Sequence, residues 1–143
     1  MTQLDLDPEV ILGMSAQAPD GIMIIDSAGL IRYWNKGAER IFGFTAEEAA
    51  GRSLDVIIPE KHRTRHWEGF DAAMARGTSR YGESDVLGVP ALTADGRRIS
   101  IEFSVVLLTG PDGSAYCGAV VRDVTARRER ERERMQRRAG ATI

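Results

Sequence analysis

The chain has 143 residues, 43% of them hydrophobic and 28% charged, with a formal charge of −2. That length and composition suit one globular core, and the near-balance of charge argues against nucleic acid as a partner. No run approaches the roughly 18 apolar residues of a membrane span, and the opening MTQLDLDPEV is acidic where a secretory signal is basic, so the expected setting is cytoplasmic with no membrane contact. The single cysteine, Cys117, excludes an internal disulfide, and with only two histidines beside it a multi-cysteine zinc site is excluded too.

Three blocks are expected: an N-terminal helical cap over 1–18, an α/β body over 19–124 and a charged exit helix or tail over 125–143. Pro8 to Gln17 predicts a short amphipathic helix with Val10, Ile11, Met14 and Ala18 apolar, able to cover the core or to pair with a copy of itself. GIMIID, then SAG, then LIRYW predicts a β-hairpin around a tight turn at Asp26 to Gly29. Asn35 caps a helix that runs to Gly43. Thr45 and Glu48 in TAEE stand at the spacing of a capping box, so a one-turn helix begins there and ends at Gly51, and short helical turns lead into LDVIIPE.

The segment PEKHRTRHWEGF predicts a helix opening near Pro59, a first-turn residue whose missing N–H costs nothing there. On such a helix residues 62, 66, 70, 73 and 74 share one side, which puts His62 and His66 beside Phe70, Ala73 and Met74. His66 then has two readings: a core imidazole bonded to a backbone carbonyl, or a ligand facing a cavity.

The remainder predicts three strands. They are RYGESDVLGVPALTA, RRISIEFSVVLL and SAYCGAVVRDV, separated by turns at Asp95-Gly96 and Pro111-Asp112-Gly113. In the middle strand Ile99, Ile101, Phe103 and Val105 share one face and Ser100, Glu102 and Ser104 the other, so one face covers a core. Two strands before the helices and three after make a five-stranded antiparallel sheet with a helical segment across one face.

Over roughly residues 10–126 the chain resembles the PAS domain family. GIMIIDSAGLIRYWNKGAERIFGFTAEEAAGRSL matches that family's opening strands, Asn-capped helix and Phe-Gly-Phe turn, and RDVTARRE matches its aspartate-threonine exit into a signalling helix. The resemblance implies an α+β fold with helices packed on one face of the sheet, an N-terminal amphipathic helix and a C-terminal charged helix. Members hold many ligands or none, so the fold alone selects none.

IIPEKHRTRHWEGF is in turn similar to heme-binding PAS gas sensors of the rhizobial oxygen-sensor kinase and direct oxygen sensor phosphodiesterase type. In those domains a proline, a basic run and a histidine followed by an aromatic carry the iron ligand. The resemblance implies heme b, with His66 as the metal ligand and His62, one turn earlier, as the fallback. It implies cofactor contacts from Trp67, Phe70, Met74, Arg80, Leu87, Ile101, Phe103, Val105 and Val120, with Arg80 near a heme propionate. Neutral imidazole is a good iron donor, and the macrocycle needs an apolar slot between helix and sheet.

Counting back from Asp95-Gly96 with one inserted residue, the distal Arg or Met of those relatives falls near Asp85, Val86 or Leu87, where neither residue type stands. The gas side is therefore expected to be apolar and to favour CO or NO over stable oxygenation by O2, unless Arg80 or Tyr81 turns inward. The implied partners are a diatomic gas, a second copy of the chain joined through the N-terminal helix and the start of the exit helix, and a separate signalling protein. In multidomain relatives the exit helix passes the signal on; a chain ending at Ile143 reads as a stand-alone sensor or as a fragment.

Other features are expected to serve the fold. Trp34 ends a strand, and Trp67 flanks the slot or closes a seam. Cys117 lacks the Asn-Cys-Arg-like helix of flavin-binding relatives and reads as a small buried hydrophobe. With no Gly-rich phosphate loop and no Ser-His-Asp arrangement, turnover is not expected. The competing class is a cofactor-free PAS dimerisation and interaction module, or one binding another small molecule, with His66 merely buried. In the tail ARRERERERMQRRAG opposite charges fall at i,i+3 and like charges at i,i+4, and only Val124 and Met135 suit a seam, so a solvated helix is expected instead of a self-sufficient coiled coil.

Overall fold

The computed structural model describes residues 5–77 and 86–141. The first helix, α1 (Pro8–Gln17), starts where the Asp7 carboxylate accepts the Glu9 N–H at 2.9 Å and Pro8 needs no donor. Strands β1 (Gly21–Asp26) and β2 (Ile31–Trp34) form the expected hairpin. Asp26 Oδ1 closes its turn by accepting from the Ala28 and Leu30 N–H groups at 3.0 Å, and Gly29 takes φ +82°.

Asn35 holds this first half together. Its carboxamide oxygen accepts from Ile22 N–H at 2.8 Å and from Ala38 N–H at 2.9 Å, the second bond capping α2 (Lys36–Phe42). Its amide nitrogen donates to the carbonyls of Ser15 at 2.8 Å and Asp20 at 3.0 Å. One side chain, 3% exposed, thereby joins the end of α1, the start of β1 and the N-terminus of α2. Gly37 in α2 lies so close to this junction that a Cβ there would stand 2.1 Å from the Asp20 carbonyl oxygen.

Beyond α2 the capping box of Thr45 and Glu48 starts α3 (Ala46–Ala49). Two 3-10 turns, Leu54–Ile57 and Glu60–His62, lead into α4 (Arg63–Arg76). Strands β3 (Leu87–Leu92), β4 (Arg98–Thr109) and β5 (Ala115–Asp123) follow, then the helix α5 (Thr125–Ala141). The sheet has five antiparallel strands in the order β2-β1-β5-β4-β3. Met23, Ile25, Ile31, Trp34, Ile99, Ile101 and Val121 on its inner face pack with Ala38, Phe42, Leu54 and Ile57 from the helical side. Trp34 serves this core: its Nε1 donates to the Phe44 carbonyl at 3.0 Å and its ring lies 5.3 Å from Phe42. Among the described residues no helix is long and apolar enough to cross a membrane.

Several expectations need adjusting. Pro59 is extended, at φ −54° and ψ 138°, and the chain winds first as a 3-10 turn, so α4 proper begins at Arg63 and not near Pro59. The described part of the third predicted strand starts at Leu87, and residues 80–85 of that segment lie outside the described residues. The apolar side chains of α1 do not cover the core: Val10, Ile11 and Met14 are 57%, 59% and 80% exposed, because the helix is fixed through its last turn at Ser15. In α5 the i,i+4 pairs are not all alike. Arg127 stands one position ahead of the alternation and meets Glu131 at 3.7 Å, while the rest of the helix is solvated as expected.

Replacing Asn35 with alanine strands two N–H groups and two carbonyls in a buried junction, where each unpartnered group costs about 1–3 kcal/mol. Asn35→Ala should lower unfolding stability by about 3 kcal/mol or more in urea titration, well beyond the cost of about 1 kcal/mol for an ordinary helix cap. A loss of cap size alone would mean that the junction of α1, β1 and α2 is not a single structural unit.

Candidate functional site

The helix that carries both histidines presents one side to the protein. In α4 and its cap, residues 62, 66, 70, 73 and 74 are half-buried, with 63 and 67 beside them, whereas 64, 65, 68, 69, 71, 72, 75 and 76 are exposed. This is the face read from the sequence. Because no α4 side chain is fully buried, the helix is held by few contacts.

Trp67 provides the chief one. Its indole Nε1 donates to Asp55 Oδ1 at 2.7 Å, and its six-membered ring lies over Gly29, where a Cβ would stand 2.6 Å from Trp67 Cη2. Gly29 is thus required twice, once for its positive φ and once for the indole. Arg63 adds a second tie by donating to the carbonyls of Ile58 at 3.0 Å and Asp55 at 3.3 Å. Neither Asp55 nor Arg63 stands out in the sequence as a site residue, since twelve positions separate Asp55 from Trp67.

Around His66 the surroundings are aromatic. The Trp67 ring stands edge-on at 4.5 Å between centroids, and the Phe70 ring is stacked at 6.3 Å. Two buried imidazole nitrogens, His62 Nε2 and His66 Nδ1, have no hydrogen-bond partner. His66 therefore does not show the satisfied Nδ1 of an ordinary core histidine. Burial pushes its pKa below the ordinary 6.5, against a smaller upward pull from Asp55, so neutral imidazole is the favoured form near neutrality.

The opposing wall comes from the inner face of the sheet. Leu87 pairs with Phe103, and Val105 with Ala119, so Leu87, Ile101, Phe103 and Val105 point to the helical side as expected. Trp67, Phe70, Phe103 and Ala119 pack against the core there, and Met74 is half-buried on the same side of α4. Val120 does not belong to this wall. It pairs with Ile22 and Ser104 on the outer face and is 43% exposed, because strand alternation hands the inner positions to Ala119 and Val121. Val86 is 63% exposed, and Arg80, Tyr81 and Asp85 lie outside the described residues. Cys117 pairs with Ile25 and Leu107, and burial pushes its thiol up in pKa, away from reactivity.

A half-buried imidazole, favoured neutral and with an unsatisfied ring nitrogen beside aromatic side chains, is the type of donor that a hydrophobic metal cofactor such as heme takes. Among the described residues no group of three or more His, Cys, Asp or Glu side chains could hold a bare metal ion. Two open grooves of about 530 and 290 Å³ lie elsewhere, one between α5 and β4 and one on the outer face of the sheet. Neither is lined by a histidine.

A family model described as PAS fold matches residues 12–124. Sensor protein FixL of Bradyrhizobium diazoefficiens is 30% identical over 110 residues, covering 75% of this chain and 21% of that protein. Oxygen sensor protein DosP of Escherichia coli is 28% identical over 117 residues, covering 79% of this chain and 14% of that protein. The chain thus spans about a fifth or less of the length of these two relatives. The crystal structure of a PAS domain from Colwellia psychrerythraea superposes with a TM-score of 0.71 at 21% identity, covering 83% of this chain and 98% of that one, a likeness of fold alone.

The depressed pKa of His66 sets a pH dependence. Below 6.5 the unfolded chain binds a proton that the folded chain resists, so the stability contributed by neutral His66 is whole above that pH and is lost as pH falls through the lower folded value. Urea midpoints measured from about pH 7 down to about pH 5.5 should fall for the unmodified chain and fall less steeply for His66→Gln. Equal slopes would place His66 in water.

Proposed function

This chain belongs to the PAS-fold family, and from that premise we propose that it is a cytoplasmic heme-binding sensor domain that responds to a diatomic gas or to a redox change. The observation that carries the reading is His66: a neutral, half-buried imidazole with an unpartnered nitrogen, on the helix face that opposes the inner wall of the sheet. The likeness of PEKHRTRHWEGF to heme-binding PAS gas sensors supports it, as does the similarity to two proteins named as sensors.

Heme b supplies an iron centre whose remaining coordination position and redox state respond to small gases. The protein's part is to hold and surround it. His66 is the metal ligand and Trp67 fixes the helix that presents it. Phe70, Met74, Leu87, Ile101, Phe103 and Val105 exclude water from the slot. None of these wall residues carries a strong hydrogen-bond donor for a polar bound gas, so CO and NO suit the site better than O2. Binding and signalling, without turnover, are the activity of this reading.

Signal output requires a second surface. Val10, Ile11, Leu12 and Met14 are all more than half exposed on α1, a helix too short to be stable by itself. In the proposed sensor two copies pair through α1 and the start of α5, and a separate signalling protein reads the resulting arrangement.

Two experiments test these points. Titrated with hemin, the purified chain should develop an intense Soret band at one equivalent and accept CO after reduction. His66→Ala should abolish uptake or restore it only with added imidazole, while His62→Ala still takes up one equivalent. A His66→Ala protein with the unmodified spectrum would transfer the role to His62 or to no specific residue. For the dimer, sedimentation should give two copies for the unmodified chain and one for Val10→Glu combined with Met14→Glu. A monomeric unmodified chain, or a variant that stays dimeric, would contradict pairing through α1.

A further inference from the structure

The groove of about 530 Å³ between α5 and β4 takes no part in the sensor reading. It is lined by Ser100 of β4 and, from α5, by the arginines Arg128, Arg132, Arg134 and Arg138, by Glu131 and by Met135. Its one carboxylate is already engaged: Glu131 meets Arg127 at 3.7 Å, and Arg127, which does not line the groove, also pairs with Glu102 of β4. Among the described residues no carboxylate oxygen lies within 4.0 Å of Arg128, Arg132 or Arg134. The surplus of positive charge is local. Residues 125–143 hold seven arginines and three glutamates, whereas the whole chain has a formal charge of −2, so the body before α5 is acidic.

Like charges four residues apart, as in Arg128 with Arg132, weakly oppose the helix that carries them, and an anionic occupant of the groove removes that opposition. The near end of the row is held in place: Arg128 Nη2 lies where a Cβ on Gly88 of β3 would stand 2.6 Å from it, so the guanidinium rests on the strand because the strand has glycine there. A guanidinium fork matches a carboxylate through two parallel hydrogen bonds. From Arg128 to Arg138 the helix rises about 15 Å, the length of about five residues of extended chain. Met135, 68% exposed within the row, offers an adaptable apolar contact. A second α5 is a poor occupant, since it would bring the arginines of two helices together over a single apolar residue. A polynucleotide would meet the acidic body beside the groove.

We propose that the groove between α5 and β4 is the docking surface for an acidic, extended segment of the separate signalling protein, with Arg128, Arg132 and Arg134 pairing with its carboxylates and Met135 packing on an apolar residue set among them. This deepens the sensor reading, on which it rests for the existence of an output partner, by giving that partner a surface and a chemistry. The groove itself needs no heme, so the docking and the cofactor are tested separately. Because α5 is rooted on Ser100, the groove lies where a change in the angle of α5 alters its width.

The test is fluorescence anisotropy of the full chain, without hemin, against a fluorescein-labelled Glu-Asp-Leu-Asp-Glu peptide, its Gln-Asn-Leu-Asn-Gln counterpart and a short single-stranded RNA of equal charge. The acidic peptide should bind, the amide peptide should not, and the affinity should fall with added salt. Arg128→Gln combined with Arg132→Gln should weaken the acidic peptide about tenfold. Arg130→Gln combined with Arg137→Gln removes the same charge from arginines that do not line the groove, and should leave the affinity within about twofold. Equal losses in the two variants would reduce the effect to the overall charge of α5 and overturn a docking groove. So would an acidic peptide that binds no better than the amide one. RNA bound more tightly than the peptide overturns the assignment to an acidic protein segment, and a change of oligomeric state in the Arg128 and Arg132 variant puts a second copy in the groove instead. A chain that binds the peptide as expected but takes up no hemin overturns the heme reading and leaves the groove standing.

Discussion

The contact between Trp67 and the turn of the first hairpin is the constraint on which the site depends. Helix α4 buries no side chain completely, so its position relative to the sheet is set by a few anchors. The indole lies over Gly29 and its N–H reaches the Asp55 carboxylate, so one residue ties α4 to the β1–β2 turn and to the preceding 3-10 turn at once. A hydrogen bond to an ionised partner is worth about 1.5–3 kcal/mol, more than a typical neutral one. His66 is next in the chain, about 100° around the helix. Fixing Trp67 therefore aims His66, and the width of any slot between helix and sheet follows from the same contact.

Strand alternation governs the other wall, and it explains what the sequence could and could not reveal. In β4 the pattern of Ile99, Ile101, Phe103 and Val105 against Ser100, Glu102 and Ser104 is unambiguous, and the inner face follows from it. In β5 the neighbours Ala119, Val120 and Val121 are all apolar, so no alternation in the sequence separates inner from outer. Only the register does so, by setting Ser104 opposite Val120 and Phe103 opposite Val121. The helix face of His62, His66, Phe70, Ala73 and Met74 was legible because a 3.6-residue period survives the change from a 3-10 to an α start. The bond between Trp67 and Asp55 was not, since nothing local marks two side chains twelve residues apart. Asn35 was legible as a cap, but its bonds to Ser15 and Asp20 come from tertiary folding.

The same alternation connects the inner face of the sheet to the exit helix. Glu102 lies between Ile101 and Phe103, two wall residues, and its side chain points outward to pair with Arg127 of α5. An exposed ion pair contributes at most about 1 kcal/mol, too little to hold a helix alone. The firmer tie is at the root of α5, where Thr125 Oγ accepts the Ser100 N–H at 3.0 Å and Val124 N–H donates to the Ser100 carbonyl at 2.9 Å. Strand β4 thus carries residues of the inner face and also holds the start of α5, so in the proposed sensor a shift of Ile101 or Phe103 would reach α5 through the strand backbone. The solvated remainder of α5 has few contacts to oppose a change of angle.

The most direct test is a crystal structure of the full chain grown with hemin. The predicted result is a macrocycle between α4 and the inner face of the sheet, its iron bonded to His66, with Trp67 still on Gly29 and Val120 still outside. A structure in which the space between α4 and the sheet is closed by Phe70, with hemin absent or bound to a surface residue, would contradict a heme sensor and leave a cofactor-free PAS module in its place.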